Sequence, residues 1–177
     1  MEKKYIRPMQ KNEISLMVDY FHSLSKEDCI RMGIKKELLP EKSKWTQLLQ
    51  EDFSKLPVDK QFAYVVWCDS EKIIGHCNIN KIIYGEEAYV HLHIWDIKNR
   101  VGGAGTHLFQ LSIEYFAENF NLKYLFCEPK SDNIAPNKTL VKLGFKFLKQ
   151  YETVPGWINS QQTVNRYELS LKKGYKK

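Results

Sequence analysis

No stretch of this 177-residue chain approaches the ~18 consecutive apolar residues that a membrane-spanning helix needs. The opening MEKKYIRPMQ carries charge where a secretory leader would have an apolar core. Cysteine is scarce, and Cys29, Cys68, Cys77 and Cys127 form no C-x-x-C pair, so neither a disulfide framework nor a structural zinc site is favoured. Cys68, Cys77 and Cys127 fall in apolar, strand-like runs, where a free thiol behaves as a small buried hydrophobe. Nine glycines and six prolines are too dispersed to make a linker, and the chain has no internal repeat or low-complexity block. These absences lead us to expect a soluble, cytoplasmic protein forming a single domain over residues 1–177.

What is present supports a folded core. Hydrophobic residues make up 43% and aromatics 13% of the chain, which excludes wholesale disorder. Lys and Arg number 27 against 21 Asp and Glu, giving a net charge of +6. A basic surplus suits an anionic partner, but the ends MEKK and KKGYKK alone hold six of the lysines against one glutamate. The remaining lysines are spread along the chain rather than clustered with aromatics, which argues against a nucleic-acid groove.

Periodicity divides the chain into elements. Lys3–Met9 reads as a strand, and Asn12 is placed to cap a helix carrying Ile14, Met17, Val18 and Phe21. Two further helical pieces, Lys26–Ile34 and Lys44–Phe53, are separated by Pro40. From Phe62 the period becomes that of strands: Phe62–Cys68, Lys72–Ile83 and Ala88–Trp95, joined by breaks short enough for hairpins. The glycine-rich turn RVGGAG, Arg100–Gly105, leads into a helix Thr106–Phe120 with Phe109, Ile113, Phe116, Ala117 and Phe120 on one face. Tyr124–Glu128 reads as a strand and Asn133–Leu143 as a helix stopped by Gly144 in a left-handed cap, followed by strands Phe147–Thr153 and Thr163–Leu171. The expected fold class is α/β (α+β), a mixed, mostly antiparallel twisted sheet of about seven strands flanked by helices.

A strand, a glycine turn and a helix start together form a ready anion site. The first N–H groups of the helix are unsatisfied, its dipole favours negative charge, and glycine lets the main chain approach a phosphate. RVGGAG lacks the Gly-Lys-Ser/Thr of a Walker loop and the spacing of a dinucleotide turn.

Arg100-x-x-Gly103-x-Gly105 resembles the R/Q-x-x-G-x-G/A motif of the GNAT superfamily of acetyl-CoA-dependent N-acetyltransferases. SDNIAPNKTLVKLGF, Ser131–Phe145, is similar in register to that family's late helix, with Asn133, Asn137, Lys142, Gly144 and Phe145 on the matching positions. The resemblance covers about Phe62 to Leu171. It implies acetyl-CoA as cosubstrate, its pyrophosphate held by the turn formed by Arg100, Val101, Gly102, Gly103, Ala104, Gly105 and Thr106. It further implies that backbone groups near Ile94 and Trp95 meet the pantetheine and acetyl group, and it marks Asn133 and Asn137 as cofactor-binding. The late helix resembles that of ribosomal-protein alanine acetyltransferases, with Pro136 replacing their usual serine. EPKSDN, Glu128–Asn133, and HLHI, His91–Ile94, instead resemble siderophore and aminoglycoside 6′-acetyltransferases, which favours a small-molecule amine.

Along Ala88–Trp95, Tyr89, His91, His93 and Trp95 share one face and Val90, Leu92 and Ile94 the other. This fits a strand with one side in the core and one lining a cleft. Imidazole, with its ordinary pKa near 6.5, is suited to accept a proton near neutral pH. The siderophore-type resemblance makes His91 the expected general base, with His93 in reserve and Glu128 orienting the imidazole or binding the cationic substrate. Many GNAT enzymes carry a tyrosine general acid four residues before the helix-ending glycine, where this chain has Leu140, leaving Tyr151, Tyr167 or water for that step. Trp45, Trp157, Glu152 and the Pro155–Gly156 turn are candidates for an aromatic, mildly acidic acceptor pocket.

The expected function is therefore acetyl transfer from acetyl-CoA to a primary amine by direct attack. The expected partner is a small-molecule amine rather than nucleic acid or membrane, the protein being a monomer or homodimer. A protein N-terminal acetyltransferase and a non-catalytic CoA-binding module stay open as alternatives. His91-x-His93, with Glu128 or Cys127, is a weaker metal-site reading, because the ligand spacing of known motifs is absent, and no metal is expected.

Overall fold

The computed structural model describes residues 4–95 and 104–171. In chain order it contains β1 (Lys4–Pro8), α1 (Ile14–Ser23), α2 (Lys26–Met32), α3 (Lys42–Phe53), β2 (Phe62–Asp69), β3 (Lys72–Ile83), β4 (Glu87–Ile94), α4 (Ala104–Phe120), β5 (Tyr124–Cys127), α5 (Ile134–Lys142), β6 (Lys146–Thr153) and β7 (Gln162–Ser170). The strands form one sheet in the order β1-β2-β3-β4-β5-β7-β6. The β4–β5 pairing is parallel, and every other pairing among the described strands is antiparallel. This is the mixed α/β architecture that the periodicities predict.

Local signals explain several helix boundaries. Ser25 caps α2 by accepting from the Asp28 N–H at 3.0 Å, and Gly33 ends it at φ 65°. Gly144 closes α5 at φ 89° with the Phe145 N–H returned to the Leu140 carbonyl, as expected of a left-handed stop. Asn12 does not cap α1. A 3₁₀ turn over Lys11–Glu13 precedes that helix and places Asn12 inside it. The Glu13 carboxylate takes the Gln10 N–H at 2.8 Å and is itself held by both terminal nitrogens of Arg7. The Arg7 pair holds Glu13 below the ordinary carboxylate range.

Helices cover both faces of the sheet. On one face Val65, Trp67, Cys77, Ile79, Ala88 and Val90 pack against Leu108, Phe109, Ile113, Phe116 and Phe120 of α4. On the other, Val66 and Cys68 meet Ile14, Met17 and Phe21 of α1 and Trp45 and Leu49 of α3. A strand buried on both sides reads as a near-continuous apolar run, as β2 does. One polar residue lies on the buried face of α4: Ser112 is fully buried, accepts from Trp67 Nε1 at 2.9 Å and donates to the Leu108 carbonyl.

Candidate active site

β4 and β5 run side by side for only three residue pairs, Glu87–Tyr124, Ala88–Leu125 and Tyr89–Phe126. Beyond Tyr89, β4 stays with β3 as far as the pairing of Ile94 with Gly75, while β5 stays with β7 through Cys127–Tyr167. The two strands therefore part, and a gap opens between Val90–Ile94 and the segment from Cys127 onward. Glycine enforces this path: a Cβ on Gly75 would lie 2.5 Å from the His93 carbonyl oxygen, so only glycine admits β4 so close to β3. The Trp95 N–H bonds the Ile74 carbonyl at 2.9 Å. By antiparallel alternation, the N–H and C=O groups of Leu92 and Ile94 then turn toward the gap.

The start of α4 abuts this gap. A Cβ on Gly105 would sit 3.1 Å from Ile94 Cδ1, so glycine permits the first turn of the helix to lie against the end of β4. Gly105 and Thr106 line the same cavity as Leu92 and Ile94. The first-turn N–H groups of a helix are anion donors. Arg100, Val101, Gly102 and Gly103 lie outside the described residues, as does the Ala104 side chain. Of the two residues expected to meet the cofactor through their backbones, Ile94, the last of β4, faces the gap. Trp95 does not: its backbone donor is used on β3, its indole N–H is donated to His76 Nδ1 at 2.8 Å, and its ring stacks on Tyr20.

A cavity of about 370 Å³ runs from this gap to a vestibule beneath α1, α3 and the loop before β7. His91 and His93 both line it, at the junction of the two ends. His91 Nε2 lies 3.2 Å from Asn80 Oδ1, a contact that places the ring proton on Nε2 and leaves Nδ1 as the basic nitrogen. Burial, with a lesser contribution from the Lys81 charge, pushes its pKa down to about 4. The ring is thus neutral at pH 7, and a weaker base than a solvated imidazole.

His93 is engaged elsewhere, stacked on His76 at 4.8 Å and set edge-on to Phe21 of α1 at 5.0 Å. Burial holds His76 itself down to about 3. Among the described residues, no cluster of three or more His, Cys, Asp or Glu is arranged to hold a metal ion.

Glu128 does not orient the imidazole. It lines the cavity, but its carboxylate accepts the Tyr151 hydroxyl at 2.5 Å and lies 3.6 Å from Arg166. Arg166 in turn sits over the rings of Phe126 and Tyr89. Asn133 occupies the N-cap position of α5 and lines the cavity. Asn137 is a strut: its amide donates to the carbonyls of Lys130 and Asn133 and its oxygen accepts from Asn165 Nδ2 and the Tyr167 hydroxyl. Leu140, in place of the family tyrosine, is fully buried core. The hydroxyls of Tyr151 and Tyr167 are spent on Glu128 and Asn137. Glu152 is absent from the cavity wall and accepts instead from Gln161.

Residues 5–146 match the acetyltransferase (GNAT) domain family. The chain belongs to that family. No protein of curated function matches this GNAT acetyltransferase by sequence. Solved structures do match its fold. A spermidine N-acetyltransferase from Vibrio cholerae in complex with CoA and spermine superposes with a TM-score of 0.77 at 14% identity, over 94% of this chain and 95% of that one. A ribosomal L7/L12 alpha-N-protein acetyltransferase in complex with coenzyme A gives 0.74 at 13% identity, over 94% and 93%. A ribosomal-protein-S5-alanine acetyltransferase from Vibrio fischeri gives 0.72 at 17%, over 93% and 91%. At these identities the likeness is one of fold, and the neighbours include both protein and small-molecule acetyltransferases.

Sequence reasoning missed the part of this GNAT site that lies on β2 and β3. Tyr64 pairs with Asn78 and Asn78 with His91, so these three form a row across three strands on the vestibule face. Asn80, the partner of His91, belongs to the adjoining row. Asn78 is 8% exposed, lines the cavity, and its carboxamide makes no hydrogen bond among the described residues. The signal was present in the alternation His76-Cys77-Asn78-Ile79-Asn80, which puts three polar side chains on one face of β3, matching the histidine face of β4.

Proposed function

We propose that this acetyltransferase moves an acetyl group from acetyl-CoA to a primary amine on a small molecule, by direct attack, in the cytoplasm. The observation that carries the reading is the single cavity joining the β4–β5 gap and the start of α4 to the vestibule, with His91 at the junction. Bound there, acetyl-CoA supplies an activated acyl group. The chain fits it: Gly105 admits the helix start to the gap, and the backbone groups of Leu92 and Ile94 turn toward it. Arg100, Val101, Gly102, Gly103, Ala104, Gly105 and Thr106 hold its pyrophosphate through the turn that the family motif marks, and Asn133 borders it from α5.

His91 Nδ1 receives a proton from the amine nitrogen as that nitrogen bonds to the acetyl carbon, while Asn80 fixes the ring tautomer. Cys127, also on the cavity wall, is no nucleophile, because burial pushes its thiol up to about 12 and keeps it protonated. This supports direct transfer rather than an acyl-enzyme. The departing thiolate takes its proton from cleft water, since the Tyr151 and Tyr167 hydroxyls are already committed. The four buried free thiols are consistent with a reducing compartment. A peptide N-terminus is the second reading for the acceptor, supported by the ribosomal-protein acetyltransferases among the fold neighbours.

The test is release of free thiol from acetyl-CoA against a panel of polyamines, aminoglycosides, hydroxylamines, arylalkylamines, amino acids and N-terminal peptides. Release with at least one small amine is expected. Calorimetric binding of acetyl-CoA with no release from any amine would leave a binding module.

A further inference from the structure

The vestibule has polar residues in its lining, Asn78 and Gln162 among them, and mostly apolar walls. Phe21, Trp45, Leu49, Phe62, Trp157 and Ile158 come from α1, α3, β2 and the loop before β7 to enclose it. Trp157 stands edge-on to Trp45, ring centroids 5.7 Å apart, yet is 51% exposed. A tryptophan left half in water at the mouth of a cavity is surface available for a ligand to cover. On the floor, Asn78 is 8% exposed, lines the cavity, and makes no side-chain hydrogen bond among the described residues. A carboxamide on a cavity wall with its donor and acceptor unused is free to bond a ligand that enters. Next to it the Tyr64 hydroxyl, kept protonated by burial, and His91 complete the polar row.

The charges of the wall are already paired. Arg31 holds Asp28 at 2.7 Å, Lys130 holds Asp132 at 2.8 Å, and Glu128 is shared by Arg166 and Tyr151. Glu128 is the one carboxylate among the described residues lining the cavity. A polyamine would bring several ammonium groups to a wall whose one carboxylate is already occupied, and an unpaired buried charge is strongly disfavoured. A ligand with one amine at one end and an apolar body at the other meets every feature.

We propose that the vestibule selects a primary amine borne on an apolar, aromatic body, with the Asn78 carboxamide receiving the amine and the Trp45–Trp157 pair receiving the body. This rests on the acetyltransferase reading above and specifies its acceptor.

The test is calorimetric titration of the coenzyme A complex, which cannot turn over, with phenethylamine, with spermidine and with a short serine-started peptide. Phenethylamine is expected to bind at least about tenfold more tightly than either. Trp157→Ala is expected to weaken phenethylamine about tenfold, with Trp157→Phe recovering most of the loss and coenzyme A affinity the same in all three proteins. Equal or tighter binding of spermidine or the peptide overturns the proposal, as does failure to bind phenethylamine or an equal loss for every amine in Trp157→Ala. Phenethylamine that binds selectively but releases no thiol from acetyl-CoA leaves the proposal standing and removes the transfer reading instead.

Discussion

Replacing His91 by Gln tests what the buried imidazole does. The depressed pKa, about 4, means that the ring is neutral throughout the working range. An alkylammonium resembles lysine, with a pKa of about 10.4, so pulling its proton onto His91 is uphill by about 6 pKa units, or roughly 8 kcal/mol. His91 therefore does not deprotonate the incoming ammonium. The amine arrives neutral, and His91 accepts a proton only as the nitrogen bonds to the acetyl carbon and becomes far more acidic. General-base assistance of this kind is worth about 10²–10⁴-fold in rate, or about 3–5 kcal/mol. His91→Gln, which keeps an N–H for Asn80, is expected to lower kcat by that factor. The assay is thiol release against pH with two acceptor amines of different basicity. In both proteins the acid limb of kcat/KM should follow the amine, moving when the amine is changed, without an inflection near 6.5. An inflection near 6.5 in the native enzyme that disappears in His91→Gln would refute the burial argument. An unchanged rate would refute the base assignment.

Three further outcomes follow from the packed structure. Asn137→Ala removes four hydrogen bonds and strands the buried Tyr167 hydroxyl and the Asn165 amide, so a loss of about 2–4 kcal/mol is expected in urea denaturation; a loss below about 1 kcal/mol contradicts the strut. Gly75→Ala drives a methyl group to within 2.5 Å of a backbone oxygen, and a destabilisation of at least about 2 kcal/mol together with weaker acetyl-CoA binding is expected; an unchanged Tm and affinity would show that β4 is not held by that contact. His76 and His91, at about 3 and about 4, bind fewer protons in the folded protein than in the unfolded chain, where imidazole titrates at 6.5. Stability should therefore fall as pH drops below 6.5 and keep falling toward those values, with His91 alone contributing about 3 kcal/mol at full protonation; a Tm constant between pH 7 and pH 4.5 contradicts this.

Features set by neighbours in sequence were legible, and features set by partners across the sheet were not. The alternation along β4 placed Val90 in the core and His91 on the cleft, and Gly144 marked the end of α5. The parting of β4 from β5 depends on where two distant strands stop pairing, which no local pattern encodes. Asn78 and Asn80 become site residues only once β3 is registered against β4. Glu128 sits beside a histidine-bearing strand, yet Arg166 and Tyr151 from β7 and β6 claim it. Residue type suggested a histidine titrating near neutrality, whereas burial decides its pKa. Asn12 had the chemistry of a cap but lay inside a 3₁₀ turn, which Glu13, anchored by Arg7, closes by accepting the Gln10 N–H.

The central claim is that one cavity brings an acyl thioester and an amine together beside His91. Its most direct test is a reaction of the purified protein with acetyl-CoA and a selected amine, followed at once for free thiol and, by mass spectrometry, for the N-acetylated amine. One acetylated amine for each thiol released is the predicted result. Acetyl-CoA that binds and survives, or thiol released with the acetyl group appearing as acetate, would contradict it.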